Sequence, residues 1–143
     1  MTRIESAADG GDEGLMPEQE LPFFVYGTLR PGERNHDLFL RGRTASEEPA
    51  SLPGLVLYQG PGYPYAIEAP GTSVGELVTA GPGAYPRLLD ELDRLEDEYD
   101  RVARDVLRAD GTPVRAWVYV ITGAEARRLR SGGHPIPGGD WRD

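Results

Sequence analysis

The chain has 143 residues, enough for one ordinary domain with a real core. It contains no cysteine, which excludes disulfides and thiolate metal sites, and its two histidines, His36 and His134, lie too far apart in sequence to suggest a histidine-rich metal centre. The formal net charge of −9 argues against nucleic acid as a partner, because phosphate contacts need a basic face.

Residues 1–20 hold six acids and Arg3, and they are Gly-rich and poor in large apolar side chains. They are expected to form a disordered acidic tail ahead of a single domain spanning residues 21–143. The tail lacks the apolar segment of a secretory signal, and no run of about 18 apolar residues occurs anywhere in the chain. A cytoplasmic protein without membrane contact is the expectation. All fifteen basic residues are arginine, a composition typical of a GC-rich bacterial genome.

Order should begin at Leu21-Pro22-Phe23-Phe24-Val25-Tyr26, a β-branched and aromatic run that predicts a buried strand. It breaks at the loop Gly27-Thr28-Leu29-Arg30-Pro31-Gly32. Asn35 or His36 could cap a short helix through Leu40. Short strands are then expected at 55–58, 65–68 and 73–78, each stopped by Gly/Pro turn signals such as Pro70-Gly71. An acidic helix follows from about Tyr85 to Glu98, with Pro86 tolerated in its first turn. Two further strands, 102–107 and 114–121, flank Asp110-Gly111 as a hairpin. A short helix at 124–130 precedes a Gly/Pro-rich tail in which Trp141 could dock onto the body. The sum is an α+β fold: a small, barrel-like mixed sheet of about six strands with one main acidic helix packed on it.

The helix carries the chemistry. Leu88, Leu89, Leu92, Leu95 and Tyr99 repeat at amphipathic spacing, and on a helical wheel they fall within roughly 60° of Leu92. Of seven carboxylates between Leu88 and Arg101, six lie roughly 100° or more from that line and are expected to face solvent. Glu96 lies roughly 40° from it, inside the apolar stripe. A carboxylate there must be paired, hydrogen-bonded or protonated, and such sites are where acid–base groups are tuned. The plain alternative is a rim position or a salt bridge, for instance to Arg101 or Arg104.

The strand-to-loop junction Tyr26-Gly27-Thr28-Leu29 supplies a second feature. Gly27 permits a sharp turn and close approach to the backbone, and successive N–H groups there can form an anion-sized concavity. The spacing and lysine of a phosphate loop are missing. An ordinary strand-to-turn junction is the simpler reading of the loop taken by itself.

Together these stretches resemble the γ-glutamylcyclotransferase-like proteins, which share a fold group with the plant AIG2-like proteins. The motifs are Val25-Tyr26-Gly27-Thr28-Leu29-Arg30, then Gly75-Glu76-Leu77, then Leu92-Asp93-Arg94-Leu95-Glu96 with Tyr99-Asp100-Arg101. Trp117-Val118-Tyr119 and Gly139-Asp140-Trp141 complete the series, and Glu33-Arg34-Asn35-His36 is similar to the γ-glutamylamine cyclotransferases of GGACT type. The likeness spans roughly residues 22–141. Asp97 departs from it, standing where the family has Gly. The helical count points Asp97 outward, so it bears on substrate choice more than on the chemistry.

The resemblance implies an enzyme that releases 5-oxoproline from a γ-glutamyl amine or γ-glutamyl amino acid, as a cyclising lyase or acyltransferase. It implies Glu96 as general acid and base, with Tyr26, Gly27, Thr28, Leu29, Tyr99 and Tyr119 binding the substrate. No cofactor and no metal are called for, the partner is a small molecule, and a monomer or weak homodimer is expected. Arg30 is expected to be solvated, Glu76 solvent-facing, and the histidines structural or surface residues; Tyr63-Pro64-Tyr65 could line a pocket edge, with core packing the first expectation. The rival readings are a non-catalytic small-molecule binding module on the same fold, a hydrolase using Thr28, and a purely structural protein.

Overall fold

Five strands close into a barrel in the computed structural model, which describes residues 20–141. The expected acidic tail, apart from Glu20, lies outside the described residues. The elements are β1 (Phe23–Val25), β2 (Thr44–Gln59), β3 (Pro64–Ala80), α1 (Tyr85–Leu95), β4 (Asp100–Arg108), β5 (Pro113–Val120) and α2 (Gly123–Gly132). A wide helical turn, His36–Leu40, bridges β1 and β2. Around the barrel the order is β1-β3-β2-β4-β5. Neighbours are antiparallel except β1 and β5, which meet in parallel at Phe23 and Trp117, where the Trp117 N–H donates to Pro22 O at 2.8 Å.

The expected count of six strands becomes five because the stretches 65–68 and 73–78 are one strand, β3, running through Pro70-Gly71. Gly71 takes φ 152°, and the β2–β3 register shifts between Pro53 and Leu55, so the pair bends without ending. The strand β2 starts at Thr44, well before the expected Leu55, and includes Pro49 and Pro53. Its second edge pairs with β4 only at Ala50 and Ser51, which leaves room for prolines that donate no ladder bond.

Alternation sorts the side chains. Phe24, Leu77, Leu52, Leu57, Val106, Ala116 and Val118 fill the barrel interior. Phe23 and Val25 point the other way, into a second layer with Tyr85, Leu88 and Leu92 of α1. Strand β1 is therefore buried on both faces. Leu88 and Leu92 are fully buried, each contributing about 1.5–3 kcal/mol, and they clamp α1 across β1 and β5. This packing brings the end of α1 beside the end of β1.

Candidate active site

The chain leaves β1 at Val25 and turns through Tyr26-Gly27-Thr28-Leu29. Gly27 is buried and does not adopt a left-handed conformation; a Cβ there would meet the Pro64 ring at 2.9 Å. Close packing, not a sharp turn, demands glycine. The loop is pinned from within: Asn35 N–H donates to Thr28 O at 3.0 Å and Asn35 Nδ2 to Thr28 Oγ1 at 2.9 Å. The side chain of Asn35 thus braces the loop and caps no helix. Among the described residues the N–H groups of Gly27, Thr28 and Leu29 reach no protein acceptor. Buried donors are rarely left so, and here they border a cavity of about 270 Å³.

Glu96 lines the same cavity. The helix stops at Leu95, earlier than the expected Glu98, and Glu96 is the C-cap residue, its N–H still donating to Leu92 O at 2.9 Å. Its carbonyl accepts the Tyr99 N–H at 2.9 Å, so a tight turn carries the chain from α1 into β4. The Glu96 carboxyl lines the cavity and makes no hydrogen bond or ion pair among the described residues. The arginines that could have neutralised it are engaged elsewhere. Arg101 Nε donates to Asp93 at 2.9 Å and its guanidinium lies over Trp117, while Arg104 pairs with Glu68. Burial, with the charge of Glu98 added, pushes Glu96 up to about 7.

Three tyrosines complete the walls. Tyr26 donates to Tyr119 O at 2.6 Å, Tyr119 to Asp93 Oδ1 at 2.8 Å, and Tyr99 to Pro64 O at 2.9 Å. Their hydroxyl protons are spent on the protein, and burial raises all three above the ordinary tyrosine range. They shape the cavity and can accept hydrogen bonds from a ligand, while their own protons go to protein acceptors.

The family model for gamma-glutamyl cyclotransferase, AIG2-like, matches residues 23–143. The chain belongs to this family. It is 34% identical over 119 residues to a Vibrio cholerae protein provisionally named a gamma-glutamylcyclotransferase, across 82% of this chain and 92% of that one. It is 32% identical to the gamma-L-glutamyl-butirosin B gamma-glutamyl cyclotransferase of Niallia circulans, across 68% of this chain and 64% of that protein. Among solved structures, an AIG2-like protein from Mus musculus superposes with a TM-score of 0.60 at 25% identity, covering 75% of this chain and 82% of that one. An Arabidopsis thaliana protein superposes at 0.63 with 28% identity, covering 85% and 72%.

This cyclotransferase-family enzyme gathers Glu96, Tyr26, Gly27, Thr28, Leu29, Tyr99 and Tyr119 around one cavity. Two sequence expectations are corrected beside it. Arg30 is 5% exposed rather than solvated, and Glu76 is not solvent-facing: Arg30 Nε donates to Glu76 Oε1 at 2.8 Å and Nη1 to Asp140 Oδ1 at 2.6 Å. Asp93, expected on the solvent face of the helix, is half-buried between Tyr119 and Arg101. Arg34, Asn35, Tyr63 and Glu98 also line the cavity. Of these, Tyr63 had been weighed as a pocket edge, and no spacing signal marked the others as wall residues. His36 bonds Glu47 at 2.8 Å and His134 is exposed, neither of them lining the cavity. No helix is long and apolar enough to cross a membrane among the described residues.

Proposed function

We propose that this enzyme cyclises the γ-glutamyl group of a γ-glutamyl amine, releasing 5-oxoproline and the free amine, with Glu96 as the single general acid and base. The carrying observation is the half-buried Glu96 carboxyl, raised to about 7 and unpaired among the described residues, in the cavity that unused backbone donors also border. The substrate's own α-amine attacks its γ-carbonyl, so the protein need supply neither nucleophile nor cofactor. The α-nitrogen gives up two protons and the departing amine gains two as the new C–N bond forms and the old one breaks. A carboxyl poised near neutrality can accept and return each in turn. The N–H groups of Gly27, Thr28 and Leu29 are suited to the tetrahedral oxyanion or to the α-carboxylate.

The test is 5-oxoproline release by purified protein from a panel of γ-glutamyl amines, γ-glutamyl amino acids and glutathione. Glu96→Gln keeps the shape and removes the base, so turnover should fall by about 10²-fold or more. Glu91→Gln, at the Arg43 pair on the outer side of α1, should leave turnover near that of the wild type. Undiminished turnover in Glu96→Gln would exclude the assignment. The Niallia circulans relative acts by name on γ-L-glutamyl-butirosin B, which leaves the departing amine of this enzyme to be set by its own cavity mouth.

A further inference from the structure

The carboxylates of this protein are nearly all occupied. From Asp37 to Glu125 each one among the described residues holds an arginine, a histidine or a threonine hydroxyl, except Glu96, Asp97 and Glu98. Asp97 is exposed and does not line the cavity. Glu98 combines what its neighbours have only singly: it is exposed like Asp97, and it lines the cavity like Glu96. Tyr63, another wall residue, stands within electrostatic reach of both Tyr65 and Glu98. The Glu98 charge is felt inside as well, at Glu96, Tyr99 and Tyr26.

The cavity carries polar groups on two sides, between apolar walls that include Phe23, Val25, Leu92 and Leu95. The loop side offers the N–H groups of Gly27 to Leu29 and the Arg34 guanidinium, which also donates to Gly62 O at 3.2 Å. The α1 side offers Glu96 within and Glu98 at the mouth. For the reaction proposed above, the scissile bond must reach Glu96, the more enclosed of the two. Whatever substituent the departing amine carries then extends outward, toward the exposed carboxylate. A protonated amino group there would find a counter-charge that no cation among the described residues uses; a carboxylate there would be repelled.

We propose that Glu98 selects departing amines carrying a second, protonated amino group, diamines and polyamino compounds, over neutral alkylamines of the same length. This inference rests on the cyclisation reading of the same site. The test compares kcat/KM for the mono-γ-glutamyl derivative of 1,4-diaminobutane with that of n-pentylamine, matched in length and differing in charge.

The wild type should favour the diamine derivative by about fivefold, the upper end for an exposed ion pair, and the ratio should approach one as salt rises to about 0.5 M. Glu98→Gln should bring the ratio to about one at low salt. Asp97→Asn, adjacent but outside the cavity, should keep the wild-type ratio. Taking a ratio also cancels any change in Glu96 caused by removing the Glu98 charge, since both substrates use the same base. Turnover of both substrates at equal kcat/KM overturns the selectivity while leaving the cyclisation standing. A preference that persists in Glu98→Gln, or that ignores salt, assigns it to another feature and also overturns the proposal. Absence of 5-oxoproline from both substrates removes the cyclisation itself, and the selectivity with it.

Discussion

Glu96 sits in the cavity at a cost to stability, and that cost has a sign that can be measured. The folded chain holds its proton up to about 7, whereas an unfolded chain releases it near the ordinary 4.5. Between these values the folded state binds more protons, so this group makes stability fall as pH rises through that window. Above pH 7 the whole penalty is present; below pH 4.5 it has gone. Glu96→Gln should therefore stabilise the protein at pH 8 by roughly 1–3 kcal/mol and change little at pH 4, seen as melting-temperature shifts at the two values. Equal shifts at both pH values would contradict this account. The same ionisation should appear as a rise of kcat/KM through about pH 7 in the wild type. Gly27 makes the opposite case. Gly27→Ala drives a methyl to within 2.9 Å of the Pro64 ring and should cost about 1–3 kcal/mol by urea titration. At this scale helical periodicity was enough to turn Glu96 inward, although the helix ends one residue before it. The fates of Arg30, Glu76 and Asp93 were not legible, because a polar side chain on a nominally exposed face is buried by whatever the rest of the fold brings over it.

Among the elements, the end of α1 is held to β5 by one carboxylate. Asp93 Oδ1 accepts both the Tyr119 hydroxyl and Arg101 Nε, while Tyr119 O accepts the hydroxyl of Tyr26. A continuous set of bonds thus joins the turn carrying Glu96 to the loop that follows β1. Asp93→Ala leaves the hydroxyl of the buried Tyr119 without its acceptor and should cost about 1–3 kcal/mol in unfolding experiments. Its kinetic signature should be a fall in kcat larger than any rise in KM, with the pH limb near 7 displaced, since Glu96 loses its fixed seat. A loss of stability with unchanged kcat would make Asp93 a packing residue alone. The hairpin around Asp110-Gly111, the strand into the Tyr26 loop and the helix over Leu88 and Leu92 were all readable from local pattern. The long strands were not. Residues 44–53 show no alternation and contain two prolines, and they become strand because β3 supplies their ladder from far along the chain. Pro70-Gly71 looked like a stop for the same reason: a bend inside a paired ribbon and a chain-reversing turn share their residues.

Taken whole, the barrel is closed at one end by its own C-terminal segment. Ile136 N–H donates to Leu57 O at 2.8 Å, Gly139 lies so close to Thr72 O that a Cβ would stand 2.1 Å from it, and Trp141 packs on the interior cluster. Asp140, next in line, meets Arg30 at the foot of the loop that borders the cavity, and Arg30 in turn holds Glu76 on β3. Three segments far apart in sequence are joined through one guanidinium. A buried ion pair repays its desolvation only while complete, so removing one member costs far more than removing both. Arg30→Met leaves Glu76, 14% exposed, without its counter-charge and should cost about 3–5 kcal/mol, read as a lower urea midpoint with an unchanged slope. Adding Glu76→Gln removes the more buried of the two charges that lose Arg30 and should recover part of that loss, although two separate defects would have added. Recovery of stability without recovery of turnover would mark Arg30 as the residue that keeps the Gly27 to Leu29 donors aimed at the cavity. If instead Arg30→Met behaves as a neutral surface change, the guanidinium does not join these segments and the closure of the barrel rests on the backbone bonds of residues 133–139.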